Sequence, residues 1–77
     1  MNGLLLERIT FNTDQCGGKP CIRNLRIRVT DVIELMANGL SPEQILTEEL
    51  PILEPEDITA CLLYAVMKLN HPVLQAA

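Results

Sequence analysis

Apolar positions follow two regimes along the chain. Up to about residue 29 they come in short pieces divided by polar or turn residues, and beyond it they recur at helical spacing. In the first regime Ile9 and Phe11 alternate with Arg8 and Thr10, which predicts a strand over residues 8–11. Leu4, Leu5 and Leu6 precede it as an arm that either covers the core or pairs with the same segment of a second copy, because an unpaired strand edge is normally covered. A polar turn, residues 12–15, leads to Cys21 and Ile22 and then to residues 27–29, which read as the two arms of a small hairpin. Gly17 and Gly18 can take positive φ, Pro20 fixes the next φ, and Asn24 tolerates a left-handed turn. Arg26 and Arg28 flank Ile27, so in a strand they share one face and Ile27 points to the other.

Three helices are predicted in the second regime. The first has Thr30 as N-cap, Asp31 near the positive end of its dipole, an inner stripe of Val32, Leu35 and Met36, and a stop at Asn38-Gly39. Ser41, Pro42 and Gln44 then form a capping box with proline at N1, and Leu40 and Ile45 are spaced as a hydrophobic staple. This helix is short and must end before Pro51. The last helix starts at Pro55, with Leu53 and Ile58 as staple and Glu56 and Asp57 in its first turn, and runs to residue 69 or 70, before His71-Pro72. At 100° per residue Ile58, Cys61, Leu62, Ala65 and Leu69 form one apolar stripe, the expected core face, and Ala60, Leu63, Tyr64 and Met67 lie nearly opposite. A helix apolar on two sides is either central in its domain or lodged against another chain, and a three-helix body has little room to enclose it.

Size sharpens that inference. The chain of 77 residues is one domain, and such a domain hides only about 60% of the surface its unfolded chain exposes. Yet 48% of its residues are apolar, with one Phe, one Tyr and no Trp, so aliphatic surface is in excess and association with another chain is expected. Leu5, Ile9, Phe11, Leu63, Tyr64 and Met67 are the candidate partner or dimer surface. The second stripe of the last helix is either the dimer seam or the site of a different partner.

Charge divides the chain in the same place. Residues 1–28 carry five basic and two acidic residues, whereas residues 29–77 carry one basic and eight acidic residues, for a net charge of −4. Lys19, Arg23, Arg26 and Arg28 form a basic cluster on the hairpin that can meet nucleic-acid phosphates, as a two-stranded ribbon entering a groove does. Equally, these arginines can pair with Glu34 or with Glu48 and Glu49, and surface bridges of that kind contribute little. The last helix is not a base reader, because its outward positions carry Glu56, Asp57, Thr59, Leu63 and Met67 rather than Arg, Asn, Gln or Lys.

Chemistry is otherwise sparse. Cys16, Cys21 and Cys61 are an odd number without a secretory segment, which points to a reducing cytoplasm and to buried small hydrophobes. Four residues separate Cys16 from Cys21 and no second close pair follows, which argues against zinc. Gly17-Gly18-Lys19-Pro20 lacks the spacing and the hydroxyl residue of a phosphate-binding loop. His71 stands alone, no nucleophile context is recognisable, and no stretch is long enough to span a membrane, so neither an enzyme nor a cofactor or metal protein is expected.

Taken together, the runs Cys16-Gly17-Gly18-Lys19-Pro20-Cys21, Arg26-Ile27-Arg28-Val29, Asn38-Gly39-Leu40-Ser41-Pro42 and Leu53-Glu54-Pro55-Glu56-Asp57 resemble the bacterial family called domain of unknown function 433, over roughly residues 8–66. Where that family carries Gly-Thr before Arg26, this chain has Asn24-Leu25, which keeps the tight turn and adds an apolar tip. The resemblance implies a mainly α fold. An N-terminal β arm and basic hairpin (1–29) precede a three-helix, homeodomain-like, helix-turn-helix bundle (30–70) and a tail (71–77). It also implies a homodimer, encoded beside a PIN-like ribonuclease toxin that it neutralises as a VapB-like antitoxin, with operator DNA as a further ligand; a stand-alone DNA-binding regulator is the alternative.

Overall fold

A computed structural model describes residues 3–70; the His71-Pro72 stop signal and the 71–77 tail lie outside the described residues. The fold is mainly helical with a short two-stranded ribbon near its start, as expected. Its elements are α1 (Gly3–Leu6), β1 (Ile9–Thr10), β2 (Cys21–Ile22), α2 (Val29–Ala37), α3 (Pro42–Gln44, continued by a π-helical turn, Ile45–Glu49) and α4 (Pro55–Leu69).

The first regime is where expectation and structure part. Residues 4–6 are not an extended arm: they belong to the single helical turn α1, whose three leucines are good helix formers, and α1 packs against α4. Cys21 and Ile22 take their main partner from the earlier segment, in antiparallel register Ile9↔Ile22 and Thr10↔Cys21. The expected arm at 27–29 shrinks to one bridge, Cys21↔Arg28, with Ile22 N–H donating to the Ile27 carbonyl at 2.9 Å. Arg23 and Asn24 occupy the two positive-φ positions (47° and 58°) of a tight turn closed by Leu25 N–H to Ile22 O at 2.8 Å, the pattern of a type I′ hairpin turn. Arg26 also has positive φ (65°), so it lies in the turn and does not alternate with Arg28 on a strand face. Cys16 and Cys21 form a disulfide and are not free apolar fillers; Cys61 alone is a buried thiol.

Helix ends are closer to expectation. Helix α2 starts two residues before the position expected, with Arg28 as N-cap in place of Thr30. A guanidinium has no acceptor, so Asp31 performs the capping by accepting from Arg28 N–H at 2.8 Å. Gly39 ends it at φ 97°. The box at α3 is complete: Gln44 N–H donates to Ser41 Oγ at 3.1 Å and Ser41 N–H to Gln44 Oε1 at 2.8 Å. Its last turn widens, with Leu50 N–H reaching the Ile45 carbonyl at 2.7 Å, while Thr47 Oγ1 donates back to the Glu43 carbonyl.

The core gathers Ile9, Ile22, Val29, Val32, Ile45, Leu53, Ile58, Ala60 and Cys61. Helix α4 touches α1, α2 and β1, so its N-terminal half is central in its own domain. The expected core stripe of α4 is rotated. Ala60 is buried and Tyr64 half-buried beside Asp57, Ile58 and Cys61, whereas Leu62 and Leu69 face outward. The reason is Asp57, which draws its own side of the helix inward. Periodicity could not find this, because an Asp scores as polar.

Candidate interaction surfaces

The ribbon register determines where the arginines meet. With Ile9 opposite Ile22, Arg8 stands opposite Arg23, and Arg23 N–H donates to the Arg8 carbonyl at 2.8 Å. Both guanidinium groups leave the same end of the ribbon, and the first turn of α4 brings Asp57 to that point. Arg8 Nη1 (2.9 Å) and Arg23 Nε (2.9 Å) donate to Oδ1, while Arg23 Nη2 (2.6 Å) and Glu54 N–H (2.8 Å) donate to Oδ2. Arg8 Nη1 also reaches Glu54 Oε1 at 2.8 Å. Asp57 is 0% exposed. Burial by itself pushes its carboxyl up, but the hydrogen bonds from Arg23, from the Glu54 backbone and from Arg8 outweigh that and hold it below the usual carboxylate range.

A carboxylate offers about four acceptor sites, and here each is taken. Asp57 therefore has no free lone pair for a ligand and resists protonation, and the Arg8–Asp57–Arg23 cluster serves as a structural clasp. Sequence reading took Asp57 as a first-turn charge and gave Arg8 no role. Only the long-range pairing of residues 8, 23 and 57 reveals them.

The four basic residues expected to meet nucleic acid are thus not equivalent. Arg23 is bound to Asp57, and Arg28 Nη2 pairs with Asp31 Oδ1 at 2.8 Å; neither uses Glu34, Glu48 or Glu49. That bond raises the Arg28 pKa and, against the opposing effect of burial, lowers that of Asp31. Lys19 and Arg26 are exposed and make no ion pair among the described residues.

The six residues expected at a partner surface also separate. Ile9 is 7% exposed and belongs to the core, and Leu5 is half-buried against it. Phe11 is exposed, with its ring centroid 6.0 Å from that of Tyr64, and Lys68 Nζ lies 5.5 Å over the other ring partner, Tyr64. Leu63 is half-buried and Met67 is 51% exposed. Beside Met67, the outward side of α4 carries Leu62, Val66 (60%) and Leu69 (83%), three residues at i, i+4 and i+7 that make a continuous apolar ridge. Next to this ridge runs a groove of about 310 Å³ formed by Pro20, by Val29, Thr30 and Ile33 of α2 and by Tyr64, Ala65, Lys68 and Leu69 of α4, with apolar atoms facing into it. None of the three ridge residues was expected at a partner surface: Leu62 and Leu69 were expected on the core stripe, and Val66 on neither.

Among the described residues no helix is long and apolar enough to cross a membrane. No curated protein and no solved structure matches the chain. The family described as Protein of unknown function (DUF433) matches residues 9–65, a span that holds the ribbon, the disulfide loop and Asp57. That match takes in most of the sequence, and the chain belongs to this family.

Proposed function

We propose that the protein is the antitoxin of a type II toxin–antitoxin pair, a non-enzymatic binding module without cofactor that acts in the cytoplasm as a homodimer. It covers a PIN-like ribonuclease with the outward face of α4. One observation carries this reading: Leu62, Val66, Met67 and Leu69 stand exposed on the C-terminal half of α4, although the helix's other half is packed into the core. An apolar helix face of this kind is laid into a partner's groove as i, i+4, i+7 anchors. Exposed Glu48, Glu49 and Glu56 add negative charge that would oppose a basic RNA-binding cleft.

In this reading α3, the 50–54 connection and α4 have the outline of a helix-turn-helix used as a frame, and the homeodomain-like label describes that outline. Operator binding falls to Lys19 and Arg26. Their small number favours protein neutralisation as the main task and leaves a stand-alone regulator as the weaker alternative. Co-expression with the adjacent open reading frame tests the proposal. A stable complex in which RNA cleavage is abolished supports it, whereas operator binding with no effect on any neighbouring nuclease supports the alternative.

A further inference from the structure

The Cys16–Cys21 bond closes a short ring in which Cys16, Gly17 and Gly18 all have positive φ (54°, 63° and 80°). The glycines adopt that conformation at little cost, but Cys16 has a Cβ and is disfavoured there. Two turn hydrogen bonds support it, Gly18 N–H to Gln15 O at 2.9 Å and Lys19 N–H to Cys16 O at 3.0 Å. The ring includes Pro20, which lines the apolar groove and whose carbonyl accepts from Val29 N–H, the first residue of α2, at 3.1 Å. The only covalent brace on the groove is therefore a bond that thiols can open. Its two sulfurs differ in access, since Cys21 is fully buried and Cys16 is only half-buried.

We propose that Cys16–Cys21 is a reversible thiol–disulfide switch that sets the shape of the groove between Pro20 and Tyr64. The reductant is a dithiol. One of its thiolates attacks Cys16 Sγ, the S–S bond breaks, and the electron pair leaves on Cys21 Sγ, which takes up a proton. The second thiol of the reductant then displaces Cys16 Sγ from the mixed disulfide, so that two protein thiols and one oxidised dithiol result. Once open, Cys16 can leave its left-handed conformation. Pro20 then loses its tether on one side, while β2 stays paired through Thr10 and Arg28. The inference concerns the groove itself and holds whatever partner occupies it.

Tyr64 is the chain's one tyrosine, there is no Trp, and it lines the groove, so its fluorescence reports directly. The test compares the intact chain in air-oxidised buffer and after dithiothreitol, counting thiols in denaturant and measuring acrylamide quenching of Tyr64 in the native state. The expected result is one reactive thiol before reduction and three after it. The quenching constant should rise about twofold or more, circular dichroism should be unchanged, and Cys16→Ser should match the reduced form with or without dithiothreitol. Three thiols before reduction, or equal quenching in the two redox states of the unsubstituted chain, would overturn the proposal.

Discussion

Arg23 grips Asp57 with two parallel hydrogen bonds, Nε to Oδ1 and Nη2 to Oδ2, and so fastens the turn of the ribbon to the first turn of α4. Such a fork-to-carboxylate pair is both stronger and more directional than a single contact. Because Asp57 is buried, losing its partners costs more than the bonds alone.

Asp57→Ala strips Arg23 of its carboxylate partner, leaves Arg8 with Glu54 alone and removes the cap of α4, and a cost of about 2–4 kcal/mol is expected for the lost charge-assisted bonds and cap. In a domain of this size that consumes a large part of the stability. Urea titration followed by circular dichroism measures it, and a loss below about 1 kcal/mol would show that the clasp is not structural.

Acid should act through the same carboxylate. The folded pKa of Asp57 lies below its unfolded value of 3.8, so the unfolded chain binds the proton more readily. The stabilisation is fully present above pH 3.8 and is lost as pH falls through the folded pKa. Asp31 is shifted in the same direction and contributes with the same sign. The midpoint of urea unfolding should be level from neutrality to about pH 4 and fall below it. In Asp31→Asn the fall should persist, and a pH-independent midpoint in that variant would remove Asp57 as its source.

If the basic ribbon meets operator DNA, the residues that do so are the unpaired ones. Lys19→Ala with Arg26→Ala should lower the slope of log K against log salt by about 2, one for each phosphate contact, with thermal stability unchanged. Arg23→Ala should instead unfold the protein more easily. A slope that stays constant in the double variant would exclude these two residues as phosphate contacts.

The α4 ridge predicts a variant that is stable yet solitary. Val66→Glu with Met67→Asp changes residues that bury little within the chain, so its unfolding free energy should move by about 0.5 kcal/mol or less. Complex formation should weaken by about 2 kcal/mol or more, the loss typical of central interface anchors. Light scattering on the protein alone, and on the co-expressed complex, separates a dimer seam from a heterologous site. Unchanged mass and full nuclease inhibition would mean that the ridge is neither.

Cys61 should be silent while the protein is folded. Burial, and secondarily the nearby Asp57 charge, push its thiol up to about 12, and a thiol is an inert nucleophile. Iodoacetamide at pH 8 should modify it only on unfolding, and rapid labelling of native protein would contradict its place in the core.

Much of the helical part was legible because its signals are local. Ser41 and Gln44 are three positions apart and their two hydrogen bonds depend on nothing else, and Pro42, Pro55 and Gly39 each act within one turn. The ribbon was less legible because its partners are chosen at a distance. Cys21 faces both Thr10 and Arg28, and the nearer segment looked sufficient. Asp57 was misread for a related reason: its burial is settled by Arg8 and Arg23, which lie 49 and 34 positions away. Once an Asp occupies the interior, the apolar stripe of α4 turns with it, so Ala60 moves in and Leu62 moves out. The surplus of apolar residues called for exposed ones without naming neighbours, and Phe11 and Met67 are indeed exposed, whereas Tyr64 is half-buried.

The clasp at Asp57 also orders events in time. Arg8 and Arg23 leave the ribosome long before the residue that satisfies them both, so the ribbon stays provisional until the first turns of α4 have been synthesised. Chains stalled short of residue 57 should therefore be open to protease throughout, and those extended past α4 should become resistant in one step.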